Sequence, residues 1–142
     1  MRCCITVTKN AAWLLLIMLH SCYHFCCTSN YRNCCTRSYC SQGWAIFVNQ
    51  ASRVIRKVRI SSGGFASTIV DVRVVLKEAL LCEAACMMLC HNHPSGNNKP
   101  SMEDDKLTQR LKEAAQAINI KMLDHVIICS DSYYSYADEG RL

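Results

Sequence analysis

Apolar and polar residues follow structural periods only from Trp44 onward. Trp44-Ala45-Ile46-Phe47-Val48 is a short apolar run of strand type, and Arg53 to Ile60 alternates basic and branched residues as a half-exposed strand does. Ser61-Ser62-Gly63-Gly64 reads as a turn and Thr68-Ile69-Val70 as a third short strand. Asp71 is placed to cap a helix running to about Ala85, with Val74, Val75, Ala79, Leu80 and Leu81 as its apolar stripe. Cys86 to Cys90 is an apolar run that delivers the chain to His91, and Pro94-Ser95-Gly96-Asn97-Asn98 is loop chemistry. A second helix is expected from Ser101 to about Asn119, with Leu107, Leu111, Ala114, Ala115 and Ile118 on one face. Val126 to Cys129 is a buried-type strand, Asp131-Ser132 a turn, and Tyr133 to Ala137 a last strand. Strands alternating with helices over short connections imply an α/β sandwich with a mixed sheet and flanking helices.

The first forty residues show neither period, and composition separates them too. They hold four basic side chains (Arg2, Lys9, Arg32, Arg37) and no acidic one, leaving twelve of the sixteen basic residues and all eleven acidic ones to residues 41–142. The second part thus has a net charge of about +1 and no global field that would select nucleic acid. Eight of the twelve cysteines also lie in the first forty residues, whereas Cys82, Cys86, Cys90 and Cys129 sit in apolar runs, where a reduced thiol packs as a small hydrophobe. Those four suggest a reducing, cytoplasmic compartment.

Three readings fit residues 1–40. A basic start followed by the apolar run Ala11 to Leu19 resembles a secretory signal, so export is the alternative if residues 1–21 act as one, and the run is too short to span a bilayer. His20, His24, Cys26 and Cys27 offer a metal knuckle, but adjacent cysteine doublets chelate one ion poorly and no C-x2-C pair is present. The third reading, an altered reading frame or misplaced start, accounts best for the lack of carboxylates and periodicity. The expectation is a Cys-rich segment at 1–40 outside the globular fold, and one domain over 41–142 that does not enter a membrane.

Chemistry concentrates in His91-Asn92-His93-Pro94-Ser95-Gly96, followed by Ser101 and Asp104. Positions i and i+2 of an extended strand share a face, so His91 and His93 can converge while Asn92 points away. Two imidazoles and a carboxylate make a three-ligand set of the kind that leaves a fourth position for water on a catalytic zinc. Ser-Met-Glu-Asp is also a helix capping box, and a carboxylate in that first turn can still face the histidine loop, held ionised by the helix dipole. Glu103 and Asp105 read as solvated neighbours, Ser95 and Gly96 as turn formers or a channel lining, and Asp124-His125 as a structural or surface pair.

The H-x-H-x7-S-x2-D spacing resembles the JAMM motif of the JAB/MPN metalloprotease superfamily, and more narrowly RadC-type proteins. Ile60 to Gly64, Leu107 to Leu111, Leu123 to Ile128 and Tyr133 to Gly140 extend the resemblance over about residues 44–142. It implies a cytidine-deaminase-like JAB/MPN fold and one zinc ion held by His91, His93 and Asp104. It also implies an activated water that attacks a peptide or isopeptide bond, with Ser101 steadying the oxyanion.

Two departures stand out. Nothing here resembles the helix-hairpin-helix region that RadC proteins carry ahead of this domain. More consequentially, the family's general-base glutamate belongs near the first strand, which here reads Ser41-Gln42-Gly43-Trp44, and no Asp or Glu precedes Asp71. Gln42 stands near the base's place and can orient a water but cannot take its proton. Loss of a general base costs about a hundred- to ten-thousand-fold in rate. The expectation is therefore an impaired zinc hydrolase acting on a peptide or protein substrate. The alternatives are a non-catalytic metal-binding module with a protein partner, and a DNA-repair accessory role that would rest on Arg53, Arg56, Lys57 and Arg59.

Overall fold

The computed structural model describes residues 42–62, 70–129 and 132–142. Five strands form one sheet in the order β2-β1-β3-β4-β5, where β1 is Gln42–Val48, β2 Val54–Ser62, β3 Cys86–Asn92, β4 Lys121–Ile128 and β5 Tyr133–Ser135. Helix α1 (Val72–Leu81) links β2 to β3, and α2 (Met102–Ala117) links β3 to β4. Only β3 and β4 run parallel, so the sheet is mixed, as expected.

The β1–β2 hairpin is closed by Asn49, whose side-chain oxygen accepts from the amides of Ala51 and Arg53, the Asx-turn chemistry that lets this residue replace a backbone partner. Both helices end on a left-handed residue, Glu83 (φ 54°) after α1 and Asn119 (φ 58°) after α2. The next amide then reaches back to a carbonyl of the last turn, Ala84 to Ala79 and Ile120 to Ala115. That turn stops α1 at Leu81 rather than at Ala85.

Alternation along β1 and β3 divides the sheet into two faces. Ala45, Phe47, Met87 and Leu89 point to the face on which Val75 and Ala79 of α1 and Leu111 and Ala115 of α2 pack. Ile46, Val48, Met88, Cys90 and Val126 form a second buried cluster. Cys90 belongs to it as the small hydrophobe the sequence suggests, and burial pushes its thiol up to about 12.

Several element boundaries differ from the sequence expectations. The buried stripe of α1 is Val72, Val75, Leu76 and Ala79, whereas Val74, Leu80 and Leu81 are exposed, because the stripe follows i, i+3, i+4, i+7 from Val72. β4 begins at Lys121 instead of Val126, since Asp124 and His125 are buried inside the strand with their polar atoms bonded. β5 ends at Ser135 rather than Ala137, where the chain turns through Glu139 to Ser135 and Gly140 to Ala137 hydrogen bonds. Ser61 and Ser62 continue β2 instead of turning. Val70 is in no strand, and Thr68, Ile69, Gly63, Gly64, Asp131 and the whole 1–40 segment lie outside the described residues. Among the described residues no helix is long and apolar enough to cross a membrane.

Candidate metal centre

The parallel pair β3–β4 creates the site. A right-length crossover must leave the end of β3, and α2 starts its return there, so the last residues of β3 meet the first turn of α2. Ligand sites favour such carboxyl ends of strands. His91, in β3, is 3% exposed and on the helix-covered face with Leu89 and Met87. His93 follows just beyond the strand, its amide still bonded to the Ile128 carbonyl at 2.9 Å. Asp104 is the third residue of α2.

These three residues converge as the sequence spacing suggests. Their nearest ligand atoms all lie within 4.8 Å of one another, and among the described residues this is the group that can hold a metal ion. His91 Nε2 is 2.9 Å from His93 Nε2 and 3.1 Å from Asp104 Oδ1, and His93 Nε2 is 3.4 Å from Asp104 Oδ2.

Each ligand is oriented by a second contact. The turn after His93 brings the Asn97 carbonyl to 2.8 Å from His93 Nδ1, so that nitrogen donates and Nε2 keeps its lone pair for the centre. Gly96 sustains this turn at φ 79°, a conformation in which a side chain is strained even though the space around it is open. Ser95 only accepts the Asn97 amide at 3.4 Å, which makes it a turn former.

Asp104 is gripped by Ser101. The Ser101 amide and hydroxyl donate to Asp104 Oδ2 at 2.8 and 2.6 Å, and Ser101 Oγ accepts the Asp104 amide at 3.2 Å, a complete capping box. Burial alone would raise the Asp104 carboxyl, but its polar contacts, the His91 imidazole beside it and the hydrogen bonds donated by Ser101, outweigh burial and hold the group well below the usual carboxylate range. Ser101 itself is exposed, and its hydroxyl is bonded to Asp104. Asp105 turns away to bond Tyr136 and Arg141 at 2.7 and 2.9 Å, and Glu103 pairs with Lys106.

Gln42 is not brought to the centre. Gly43 pairs with His91 across β1 and β3, so the odd positions of β1 share the histidine face and Gln42 alternates to the other. Its main-chain N–H donates to the Asn92 side-chain oxygen at 2.6 Å. Two residues do reach the site that the sequence reading left outside it, having taken His125 as part of a structural or surface pair and given Thr108 no role. His125, fully buried in β4, places Nε2 at 2.9 Å from His91 Nδ1, and the Thr108 hydroxyl lies 2.6 Å from His125 Nδ1. Burial first, and the neighbouring imidazoles next, push His125 down to about 3. Thr108 was legible in principle, one helical turn after Asp104 and on its face, whereas His125 was hidden because nothing local says that a polar strand residue faces inward.

Comparison with known proteins adds a family. The family model described as a RadC-like JAB domain matches residues 21–141, reaching into the Cys-rich segment that the sequence reading set apart. A UPF0758 protein of Flavobacterium johnsoniae is 47% identical over 97 residues, covering 68% of this chain and 42% of that protein. UPF0758 proteins of Porphyromonas gingivalis and Thiobacillus denitrificans are 41% and 44% identical, over 70% and 68% of this chain and 44% and 43% of theirs. The chain thus spans less than half the length of the curated relatives it matches.

Proposed function

This chain belongs to the RadC-like JAB domain family, and on that premise we propose that it binds one zinc ion through His91, His93 and Asp104. The site is of the metallopeptidase type, suited to hydrolysing a peptide or isopeptide bond, with its rate held low by the lack of a base. One observation carries the reading. Two imidazole Nε2 atoms and a carboxylate converge within 4.8 Å, and the second nitrogen of each imidazole is already engaged, with Asn97 in one case and His125 in the other. Three acceptors facing one another repel unless a cation lies between them, and two nitrogens with one oxygen suit zinc.

Bound zinc would supply Lewis-acid polarisation of a carbonyl and a lowered pKa for water. The chain's own contributions are narrower. Ser101, exposed beside Asp104, can turn its hydroxyl toward an oxyanion as charge develops there. No carboxylate stands on β1 to receive the proton of an attacking water, and Gln42 lies on the wrong face even to orient one. That gap also favours a second reading, a module that binds zinc without turnover and serves a protein partner. A nucleic-acid role has less behind it, since Arg56 of the basic β2 row is paired with Glu78 at 2.7 Å. The free thiols Cys82, Cys86, Cys90 and Cys129 suit a cytoplasmic setting.

The test is to supply the base. In the sequence Ser41 lies two positions before Gly43, the residue that pairs with His91, whereas Gln42 lies one before it. In the zinc-loaded full chain, assayed on fluorogenic peptide and isopeptide substrates, Ser41→Glu should raise turnover about a hundred- to ten-thousand-fold and Gln42→Glu should leave it at background. Equal, absent or reversed effects in folded, zinc-loaded variants would remove the hydrolase reading and leave the binding module.

A further inference from the structure

The hydrogen bonds behind His91 run in one direction only. A carbonyl oxygen can only accept, so the Thr108 hydroxyl, 2.6 Å from the Asp104 main-chain oxygen, spends its single proton there. What Thr108 Oγ1 offers His125 Nδ1 at 2.6 Å is therefore a lone pair, and that nitrogen must carry a hydrogen. His125 is fully buried, and a doubly protonated ring at such a position would be a buried charge with no carboxylate bonded to either nitrogen. The ring is neutral with its one hydrogen on Nδ1, so Nε2 accepts from His91 Nδ1 at 2.9 Å. His91 is left with a bare Nε2 facing Asp104 and His93.

We propose that Thr108 and His125 are positioning residues that set His91 in its ligand tautomer, through a hydrogen-bond relay anchored on the main chain of Asp104. The reversed order would put a hydrogen on His91 Nε2, where it would donate to Asp104 and leave no lone pair for a metal. Two features of the fold keep the relay assembled. β4 has one extra residue against β3 at Leu123, because Met122 pairs with Met87 but Asp124 with Met88. This bulge changes the phase of the strand and brings His125 onto the His91 face, opposite Leu89. The Tyr136 ring stacks on His125 with centroids 5.1 Å apart and planes 6° apart, which fixes the imidazole plane. Because both ends of the relay belong to Asp104, one residue acts as ligand through its side chain and orients a second ligand through its carbonyl. Partners of this kind govern the affinity of metal sites by about ten- to a hundredfold.

The inference rests on the metal reading for its consequence but not for its test. Imidazole nitrogens with and without hydrogen are distinguished by 15N NMR in the metal-free full chain, and zinc affinity is measured separately by competition titration. The wild type should show His91 with hydrogen on Nδ1. Thr108→Val should shift His91 toward the Nε2-protonated form and weaken zinc about ten- to a hundredfold, and Thr108→Ser should restore both. Should Thr108→Val not fold, His125→Gln, whose carbonyl can still accept from His91 Nδ1, should keep the tautomer that His125→Leu loses. An unchanged His91 tautomer in folded Thr108→Val, or a shift that Thr108→Ser does not restore, would overturn the relay. A tautomer response in a chain that binds no zinc would uphold the relay and sink the metal reading instead.

Discussion

Asp104 and Asp124 are both carboxylates largely removed from solvent, with several hydrogen bonds each, yet they do opposite kinds of work. Asp104 stands at the β3–α2 corner, and its partners, His91 and Ser101, favour its charge strongly enough to overcome burial. Asp124 stands in mid-β4, where burial prevails and raises its carboxyl despite hydrogen bonds from Ser135, Ala137 and His125. One keeps its charge beside two imidazoles and a helix N-terminus. The other ties β4 to the chain end at Ser135 and Ala137. Hydrogen-bond count therefore does not mark a functional carboxylate here; the kind of partner does.

Removing each carboxylate in turn separates the two roles. Asp104→Ala should abolish zinc binding, a loss beyond a hundredfold in titration, because two imidazoles alone make an incomplete site. Its stability cost should be limited to that of a lost capping box, about 1 kcal/mol by chemical denaturation. Asp124→Ala should cost about 2–3 kcal/mol in the same denaturation experiment, since it strands the Ser135 hydroxyl and two amides, while the folded fraction keeps its zinc affinity. If Asp124→Ala lost zinc as completely as Asp104→Ala, the division between the two would fail.

Two smaller effects sharpen the same division. Gly96→Ala should strain the turn that presents the Asn97 carbonyl to His93 by about 1–2 kcal/mol, read as a lower melting temperature and as zinc binding weakened by up to roughly tenfold where the turn shifts to relieve the strain. The smallest effect is on pH dependence. Because the folded-state value of Asp124 lies above the unfolded 3.8, the native state holds that proton more tightly. Its contribution is fully present below 3.8 and is lost as pH rises through the raised folded value. Denaturation curves across that window should slope downward with pH in the wild type and lose the component in Asp124→Asn. A slope of opposite sign would contradict the placement of Asp124.

The site was legible in the sequence where its residues are close along the chain. His91 and His93 share a strand phase, and Ser101 with Asp104 forms a recognisable first turn, so local geometry alone brings each pair together. The alternating strands and helices likewise gave the mixed sheet. What escaped depends on register between distant segments. His125 reaches His91 only because β4 pairs with β3 and carries a bulge, and Gln42 misses the centre only because Gly43, not Gln42, stands opposite His91. A one-residue phase decides both, and no local pattern encodes it. The end of α1 escaped for a related reason, since Glu83 takes the left-handed position usually given to glycine.

The central claim is a zinc site that is complete in ligands, and the direct measurement is metal content. The 142-residue chain, stripped with chelator, incubated with excess zinc and freed of unbound ion, should retain about one zinc per chain, and His91→Ala, folded by circular dichroism, should retain none. A wild type that retains no zinc, or a His91→Ala chain that retains it undiminished, would contradict the account.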